Sequence, residues 1–344
     1  MKTWIAASLF VGVAALAVAD DTQKPKSDKK PQIVATDAAT SGPDFAVQGE
    51  YVGTVNDQKI GVQVIAQGDG KFAIRALKGG LPGDGWDGKD WKKFKGNVED
   101  GKVAFGDDEG KAVIADGKLA VTHGDQTVTF AKVTRKSPTE GAKPPEGAVV
   151  LFDGKSLEGW TKPDRKSPAP WMVRDDGVMQ VKGGGDILTK QQFGSFTLHV
   201  EFMLPFMPSA SGQGRANSGV YVQNRYELQV LDSFALKGLN NEAGGFYQAS
   251  DPIVNMCYPP LQWQTYDIDF TPAKFENGKK TVNARCTVKH NGVVVQDNVE
   301  LKKPTPGGVE EAGAAAESAI LPVEKNASPP AVPVWNSCSP LPPS

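Results

Sequence analysis

Short apolar runs separated by turn residues constrain the fold of this chain more than any other feature of its sequence. Gly and Pro occur 38 and 25 times, and Gly-Asp, Asp-Gly and Gly-Gly pairs separate the runs between residues 45 and 133 without a helix-length amphipathic segment. Roughly ten further runs with the alternation of β-strands follow between residues 148 and 300. The sequence therefore predicts an all-β protein, with a small all-β module at residues 44–133 and a two-sheet β-sandwich at residues 148–308.

The N-terminal segment has a different composition. Residues 1–19 carry one positive charge at Lys2, then an apolar run, then Ala-Val-Ala before Asp20. This pattern predicts a signal peptide cleaved near Ala19, and therefore a secreted or periplasmic protein. Residues 20–43 are polar and contain little apolar surface to bury, so we expect a disordered leader.

Residues 134–147, with the sequence TRKSPTEGAKPPEG, separate the two predicted β modules. Their Pro, Gly and Lys content is typical of a semi-rigid linker. We therefore expect two separate folding units, with the linker as the first site of limited proteolysis.

Charge, cysteine and histidine content argue against several classes of function. The formal net charge is −2 and charges of both signs are interspersed, so no nucleic-acid surface is predicted. The N-terminal apolar run is too short and Ala-rich to predict a membrane span. Three Cys do not make a disulfide framework, although a Cys257–Cys286 bridge is left open, and three scattered His have no zinc spacing. No cofactor is assigned, and a divalent metal is left open.

The stretch 217–232, NSGVYVQNRYELQVLD, has two apolar runs on either side of Asn224-Arg225. It predicts a tight β-hairpin with its turn at those two residues. Pairing about that turn puts on one face Val220, Val222, Glu227 and Gln229, and on the other Tyr221, Gln223, Tyr226, Leu228 and Val230.

A carboxylate and an amide two residues apart in an otherwise apolar strand cost free energy unless they meet a partner or a ligand. Glu227 and Gln229 are either satisfied within the sheet or belong to a binding site, and we expect the second, with both side chains directed into one groove. A second strand, residues 193–202, alternates in the same way. There Phe196, Leu198, Val200 and Phe202 face one side, and Thr197, His199, Glu201 and Met203 face the other.

Several separated motifs of the C-terminal half occur in the order found in one known family. They read VVLFDGKSLEGW, TLHVEFMLP, ANSGVYVQNRYELQVLDS, GGFYQASDP, WQTYDIDF and HNGVVVQD. In this order they resemble the bacterial 3-keto-disaccharide hydrolase domain over about residues 148–300. The resemblance implies a concanavalin A-like jelly-roll β-sandwich, related to β-glucanases and lectins, and a carbohydrate ligand.

Glucanases of this sandwich fold carry a Glu-x-Asp-x-Glu strand, whose carboxylates serve as nucleophile and acid/base in retaining hydrolysis. The corresponding positions here would be Glu227, Gln229 and Leu231. A glutamine cannot act as the nucleophile and a leucine cannot transfer a proton. Double displacement at an unmodified glycoside is therefore disfavoured.

The resemblance instead implies chemistry on a 3-keto sugar, in which the ketone acidifies the proton at C2. One base removes that proton, the C1 group leaves by β-elimination, and water then adds to the unsaturated sugar. Glu227 or Glu201 is the expected base, and Gln229 and Tyr247 are the expected hydrogen-bond donors to the enolate.

Further candidates surround these residues. His199 or Asp232 would assist proton transfer or hold a divalent cation, and Asn217 and Arg225 would bind substrate. For each there is a structural alternative: His199 on an outward polar face, Asp232 as a turn cap, and Tyr247 as a packing residue. His290, before the Asn-Gly turn at residues 291–292, is expected to be solvated.

A non-catalytic, lectin-like carbohydrate-binding module is the alternative function, because sandwiches of this type also bind sugars without chemistry. A Glu227→Gln protein separates the two functions. A lectin would keep part of its sugar affinity and has no turnover to lose.

The C-terminal segment departs from the family. Its domains close with an apolar strand beside the first strand, whereas residues 309–344 contain many prolines, which remove strand hydrogen-bond donors. We therefore expect a poorly ordered tail. The first strand, residues 149–152, would then have an exposed apolar edge.

Overall fold

The structure of the chain, a computed structural model, describes residues 33–86, 88, 91–99, 102–107, 110–311, 320–321 and 336–340. The predicted signal peptide and the first part of the predicted leader, residues 20–32, lie outside the described residues. Within the described ranges, no helix combines the length and apolar character that a membrane crossing requires.

The described chain is built mainly from strands. Its helical elements are α1 (Pro43–Val47) and a 3-10 turn (Gly212–Gly214). The N-terminal strands are β1 (Gly49–Val55), β2 (Gln58–Gly68), β3 (Lys71–Lys78), β4 (Trp91–Glu99), β5 (Lys102–Asp107), β6 (Gly110–Ala115), β7 (Lys118–His123) and β8 (Gln126–Val133). The C-terminal strands are β9 (Val149–Phe152), β10 (Trp160–Thr161), β11 (Met172–Val173), β12 (Met179–Gln180), β13 (Ile187–Thr189), β14 (Phe196–Met203), β15 (Ser218–Val222), β16 (Tyr226–Val230), β17 (Trp263–Thr271), β18 (Lys274–Glu276), β19 (Lys279–Val282), β20 (Ala284–His290), β21 (Val293–Leu301), β22 (Ile320–Leu321) and β23 (Asn336–Pro340).

Strands β1 to β8 close into an antiparallel barrel, in which each strand pairs with the next and β8 returns to β1. Alternate side chains of each strand point inward and form one apolar core. The buried members of that core in β2 and β3 are Val62, Val64, Ala66, Phe72 and Ile74. The sequence pattern did not predict β4, because its residues WKKFKGNVE are rich in lysine rather than apolar.

Eleven of the C-terminal strands form two sheets that share one core, so the prediction of an all-β fold with a β-sandwich is confirmed; the pairs β11–β12 and β18–β19 form separate two-stranded sheets. One sheet has the order β10-β13-β22-β15-β16, and the other has the order β21-β20-β17-β14-β23-β9. From β14, the predicted inward set is buried in this core: Phe196, Leu198, Val200 and Phe202. Both cysteines that could have bridged, Cys257 and Cys286, are buried and free.

Two described parts of the C-terminal segment, β22 and β23, form strands, and β23 contradicts the expected loss of a neighbour for the first strand. Strand β23 pairs with β9, with Ser337 opposite Val150, and it pairs with β14 on its other side. Within β23 the single proline, Pro340, is the last residue, where a missing donor disturbs the ladder least. The overall proline content of the segment concealed this strand.

The predicted linker is docked onto the sandwich rather than free. Ser137 Oγ lies 2.6 Å from Thr265 Oγ1, and the Gly141 amide donates to Glu201 Oε1 at 2.5 Å. Arg135 pairs with Glu50 of β1 at 2.6 Å and stacks on the ring of Tyr258, 4.7 Å from its centroid. The barrel and the sandwich accordingly belong to one compact unit, which corrects the expectation of two separate units.

The last part of the predicted leader is also packed, contrary to its polar composition. Ala35 is buried and pairs with Phe206 through two backbone hydrogen bonds of 3.0 and 2.8 Å. Phe45 of α1 packs against the same phenylalanine, with ring centroids 5.4 Å apart. Two backbone bonds and one pair of aromatic rings thus connect this segment and α1 to Phe206.

Candidate active site

The β15–β16 hairpin has a loop one residue longer than predicted, and this changes which residues share a face. Gln223 and Asn224 both adopt left-handed backbone conformations, with φ of 50° and 58°, and the Arg225 amide donates to Val222 O at 3.1 Å. Val222 therefore pairs with Tyr226, and Tyr221 pairs with Glu227. Because strand side chains alternate, this shift by one residue reverses the face of every β15 residue.

The prediction that Val220 and Val222 share a face with Glu227 is therefore wrong. They lie in the sandwich core with the β16 residues Tyr226, Leu228 and Val230. Glu227 and Gln229 point away from that core, onto the outer face of the five-stranded sheet.

Glu227 is partly buried beside Tyr221. The tyrosine hydroxyl lies 2.8 Å from Glu227 Oε2 and 2.7 Å from Pro306 O. Burial raises the pKa of Glu227 to about 7, and the negative charge of Asp186 adds to this, while the Tyr221 hydrogen bond opposes it. A carboxyl group with this pKa is half ionised near neutral pH, which suits a general base.

The hydrogen bonds of the Tyr221 hydroxyl group are compatible with a protonated Glu227. The phenol has one hydrogen but two acceptors within hydrogen-bond distance. When Glu227 is protonated, its carboxyl donates to the Tyr221 oxygen while the phenol donates to Pro306 O, so both contacts are satisfied. Burial and the neighbouring Glu227 also raise the pKa of Tyr221, which keeps the phenol protonated.

Tyr247 lies on the other side of Glu227. Phe246 bridges to Leu228 and is buried in the core, and the Tyr247 amide donates to Glu227 O at 3.0 Å. Since successive side chains alternate, Tyr247 lies on the same outer face as Glu227. We refer to Tyr221, Glu227, Tyr247 and Asp186 as the Glu227 site.

A glycine makes room for the Glu227 side chain. A Cβ at Gly219 would lie 2.6 Å from Glu227 Oε1, so the carboxyl group occupies the space that a side chain there would need. Glu227 is thus held between a glycine and a tyrosine of β15. Its backbone amide donates to Thr305 Oγ1 at 2.8 Å, which fixes the strand on its other side.

Gln229, the expected donor to a substrate, is buried, and its side-chain amide is bonded within the protein. It is 1% exposed, and its Nε2 lies 2.5 Å from Asn217 Oδ1 and 3.0 Å from Ser218 O. Both N–H bonds of the amide are used by these contacts. Asn217 in turn donates to Gln213 Oε1 at 3.3 Å, so the pair ties the loop before β15 to β16.

The structure does not bring His199 and Glu201 to the Glu227 site. They lie on β14 in the other sheet and face away from the core, as predicted, so they are on the opposite outer surface of the sandwich. His199 Nδ1 is 2.6 Å from Asp267 Oδ1, and its Nε2 is 3.1 Å from Glu201 Oε1. Burial disfavours the imidazolium, but these two carboxylates outweigh it and raise the pKa of His199 to about 9.

Asp232 and Arg225 stabilise the ends of the hairpin. Asp232 is buried and pairs with Arg215 through Oδ2 and Nε at 2.6 Å. Arg225 is buried, and its Nη2 donates to Glu310 O at 3.4 Å. The expectation of a solvated His290 is wrong: this side chain is fully buried, which lowers its pKa to about 3.

Sequence reasoning missed Tyr221, Asp186 and Thr305 as members or neighbours of the site. A three-residue hairpin loop would have placed Tyr221 opposite Glu227, but no local signal distinguishes that loop from the two-residue turn. Asp186 comes from the loop before β13, and only the tertiary fold brings it close. In the described part of the chain, no three His, Cys, Asp or Glu side chains are grouped so that they could hold a metal ion.

Two solved structures and one family profile are similar to this chain. A crystal structure from Parabacteroides distasonis, of a protein designated a candidate glycosyl hydrolase, is 32% identical, with a TM-score of 0.52 over 57% of this chain and 84% of the other. A second structure with the same designation and organism is 17% identical, with a TM-score of 0.40 over 60% of this chain and 98% of the other. No curated protein matches the chain.

The sequence profile of the 3-keto-alpha-glucoside-1,2-lyase-like domain matches residues 147–324. This range contains both sheets of the sandwich up to β22, and with them the hairpin, Asp186 and the whole Glu227 site. It covers just over half of the 344 residues. The chain therefore belongs to the family of 3-keto-alpha-glucoside-1,2-lyase-like domains.

Proposed function

We propose that the protein cleaves 3-keto-glycosides, such as 3-keto-disaccharides, with Glu227 as the base. The observation that carries this proposal is a carboxyl group whose pKa lies near 7, hydrogen-bonded to Tyr221 on the outer face of the five-stranded sheet, with the Tyr247 backbone bonded to its strand. The family supports the class of substrate, and the geometry supports proton abstraction from carbon next to a ketone.

The reaction begins when the Glu227 carboxylate takes the proton from C2 of the keto sugar. The electron pair of the C–H bond forms an enolate with the C3 ketone. The C1–O bond then breaks, C1 and C2 become doubly bonded, and the leaving alcohol takes a proton. Water finally adds its oxygen to C1 and a proton to C2, so that the net change is hydrolysis.

The two tyrosines have distinct roles in this scheme. Tyr221 hydrogen-bonds to the carboxyl group and favours its ionised form, the form that takes the proton, because this contact lowers the pKa of Glu227. Tyr247, which strand alternation places on the same face, is the proposed donor to the enolate oxygen. Gln229 supports the strand instead of contacting the sugar.

A second candidate reaction is favoured by one observation, the negative charge of Asp186 near Glu227. Two neighbouring carboxyl groups are what hydrolysis of an ordinary glycoside requires. In that reaction Glu227, with its raised pKa, would be the acid and Asp186 the nucleophile or base. The two reactions differ in the substrate that they need, because only elimination requires the ketone.

The test compares a 3-keto-disaccharide with its unoxidised parent, using purified full-length protein with and without a metal chelator. We expect turnover of the keto form alone, and loss of at least about 100-fold in Glu227→Gln. Glu201→Gln makes the same chemical change on the opposite surface and should retain activity. Equal turnover of the parent sugar would support the two-carboxylate reaction, and sugar binding without turnover of either would support a lectin.

Export is a separate part of the proposal. The N-terminal pattern at residues 1–19 supports a cleaved signal peptide. N-terminal sequencing of the protein recovered from an expressing bacterial cell should begin at Asp20. A mature protein that begins at Met1 in the cytoplasmic fraction would contradict it.

A further inference from the structure

Arg75, on β3 of the barrel, reaches across to the sandwich. It is 3% exposed, and its Nη1 donates to Leu236 O at 2.9 Å. Its guanidinium group also stacks on the ring of Trp86, 4.5 Å from the centroid. The Arg75 side chain belongs to the barrel but hydrogen-bonds to a backbone carbonyl of the sandwich. It restrains that carbonyl strongly, because a buried planar guanidinium group has few alternative orientations.

The segment that Arg75 contacts is a tightly capped loop, residues 236–247. Glu242 is buried, and its Oε2 accepts hydrogen bonds from the amides of Gly238 at 2.6 Å and Leu239 at 3.2 Å. Burial lowers the pKa of Arg75 to about 10, and the negative charge of Glu242 opposes that shift, so the two charges face each other across the junction. Arg75 therefore contacts the loop by a hydrogen bond and by charge.

The far end of the same loop forms one wall of the Glu227 site. Gln229 of β16 donates from its backbone amide to Gly245 O at 2.8 Å, and Tyr247 donates from its amide to Glu227 O at 3.0 Å. The Gly245 amide donates to Glu242 O at 3.0 Å, which connects the capped half of the loop to the half beside the strand. Hydrogen bonds, joined by short stretches of backbone, thus connect Arg75 of the barrel to the part of the loop that contains Tyr247.

We propose that Arg75 is a positioning residue for the Glu227 site, through which the barrel holds the 236–247 loop and its Tyr247 in place. The barrel is then a part of the active-site architecture and not an independent binding module. This inference rests on the proposed function for its effect on turnover, but its effect on the loop is independent of any substrate.

The test uses the full-length protein and three variants. Arg75→Ala removes the contact, and Arg75→Lys keeps the charge. Arg135→Ala is the matched control, because Arg135 also joins the barrel to the sandwich but stacks on Tyr258 rather than binding the loop. Amide hydrogen exchange is measured over residues 236–247 and over the hairpin, and kcat/KM and its pH profile are measured on a 3-keto-disaccharide.

We expect Arg75→Ala to speed exchange in the 236–247 loop and to lower kcat/KM by roughly 10- to 100-fold, since small displacements of a site residue have such effects. Arg75→Lys should restore part of the loop protection and part of kcat/KM, and Arg135→Ala should leave both quantities near their wild-type values. In Arg75→Ala the pH dependence of kcat/KM should still show an ionisation near pH 7, because Glu227 itself is unchanged. If Arg75→Ala fails to fold, the second variant is Glu242→Gln. It keeps an acceptor for the loop amides but removes the charge that faces Arg75, so loop exchange should be faster and kcat/KM lower, each by less than in Arg75→Ala.

Unchanged exchange in the loop of a folded Arg75→Ala protein would overturn the inference. Faster loop exchange in Arg75→Ala together with a wild-type kcat/KM, measured on an enzyme that is active, would overturn it as well. If the wild-type protein turns over no 3-keto-disaccharide while Arg75→Ala still loosens the loop, the proposed function fails and the structural role of Arg75 stands.

Discussion

Replacing Glu227 by glutamine should stabilise the protein at neutral and alkaline pH. Burial raises the pKa of Glu227 to about 7 in the folded protein, against an ordinary value of 4.5. At pH values above 7, folding therefore places an ionised carboxylate where the structure favours a neutral group. In the Glu227→Gln variant the side-chain amide would donate to the Tyr221 oxygen as the protonated carboxyl does, without this cost.

The magnitude follows from the difference between the two pKa values. About 2.5 pH units correspond to at most about 3 kcal/mol, and partial exposure of the side chain reduces this to about 1–3 kcal/mol. The sign follows from proton binding: between pH 4.5 and 7 the folded protein holds a proton that the unfolded chain has lost, so stability falls as pH rises through this window. Below it the carboxyl is protonated in both states and contributes no difference.

The assay is urea unfolding of wild type and Glu227→Gln at pH 4.5, 6 and 8. The stability advantage of the variant should grow from near zero to about 1–3 kcal/mol across this series. Glu201→Gln is the control of opposite sign, because Glu201 pairs with a protonated His199 and its loss should destabilise the protein at neutral pH. An advantage of Glu227→Gln that does not vary with pH would refute the raised pKa.

Three further predictions concern the contacts around the site and the docked linker. Tyr221→Phe removes a hydrogen bond that lowers the pKa of Glu227. The pH at which kcat/KM rises as Glu227 ionises should therefore increase by about one unit, with about fivefold lower activity at pH 7. A pH profile that does not shift would contradict this. Gly219→Ala should lower kcat/KM by roughly 10- to 100-fold, because its Cβ would lie 2.6 Å from Glu227 Oε1, and wild-type kinetics would show that the carboxyl is not held there. Limited proteolysis should spare residues 134–147, whose Gly141 amide is bonded to the sandwich, and early cleavage within them would contradict the docked arrangement.

The fold class could be predicted from the sequence because strand alternation is a local signal. In β14 the apolar residues Phe196 and Leu198 alternate with Thr197 and His199, and the structure buries the first pair in the core. Turn residues marked most strand ends equally well. A lysine-rich strand such as β4 gives no such signal, because it is ordered by its neighbours in the barrel rather than by its own composition.

The site was harder to predict because it depends on register and on distant contacts. The hairpin at residues 217–232 was recognisable, but its loop length decided whether Tyr221 or Val222 lies beside Glu227. The approach of Asp186 and the docking of residues 134–147 both involve partners far away in the chain. Composition also misled at the C-terminal end, where β23 is a strand because β9 and β14 offer it pairing on both sides.

The family and the local chemistry complement each other in assigning the site. Family membership indicates a carbohydrate-acting domain, while the burial of Glu227 indicates which carboxyl group is suited to take a proton at neutral pH. His199 and Glu201 lie on the opposite surface, where they hydrogen-bond to each other. The candidate site is thus reduced to residues of one face.

The most direct test of the central claim is the fate of the proton at C2 during turnover in deuterated water. Elimination followed by hydration predicts one deuterium at C2 of the released keto sugar at the earliest times, before the product ketone exchanges by itself, and predicts that Glu227→Gln abolishes this incorporation together with turnover. Product that forms with its original hydrogen at C2, at a rate unaffected by Glu227→Gln, would contradict the account.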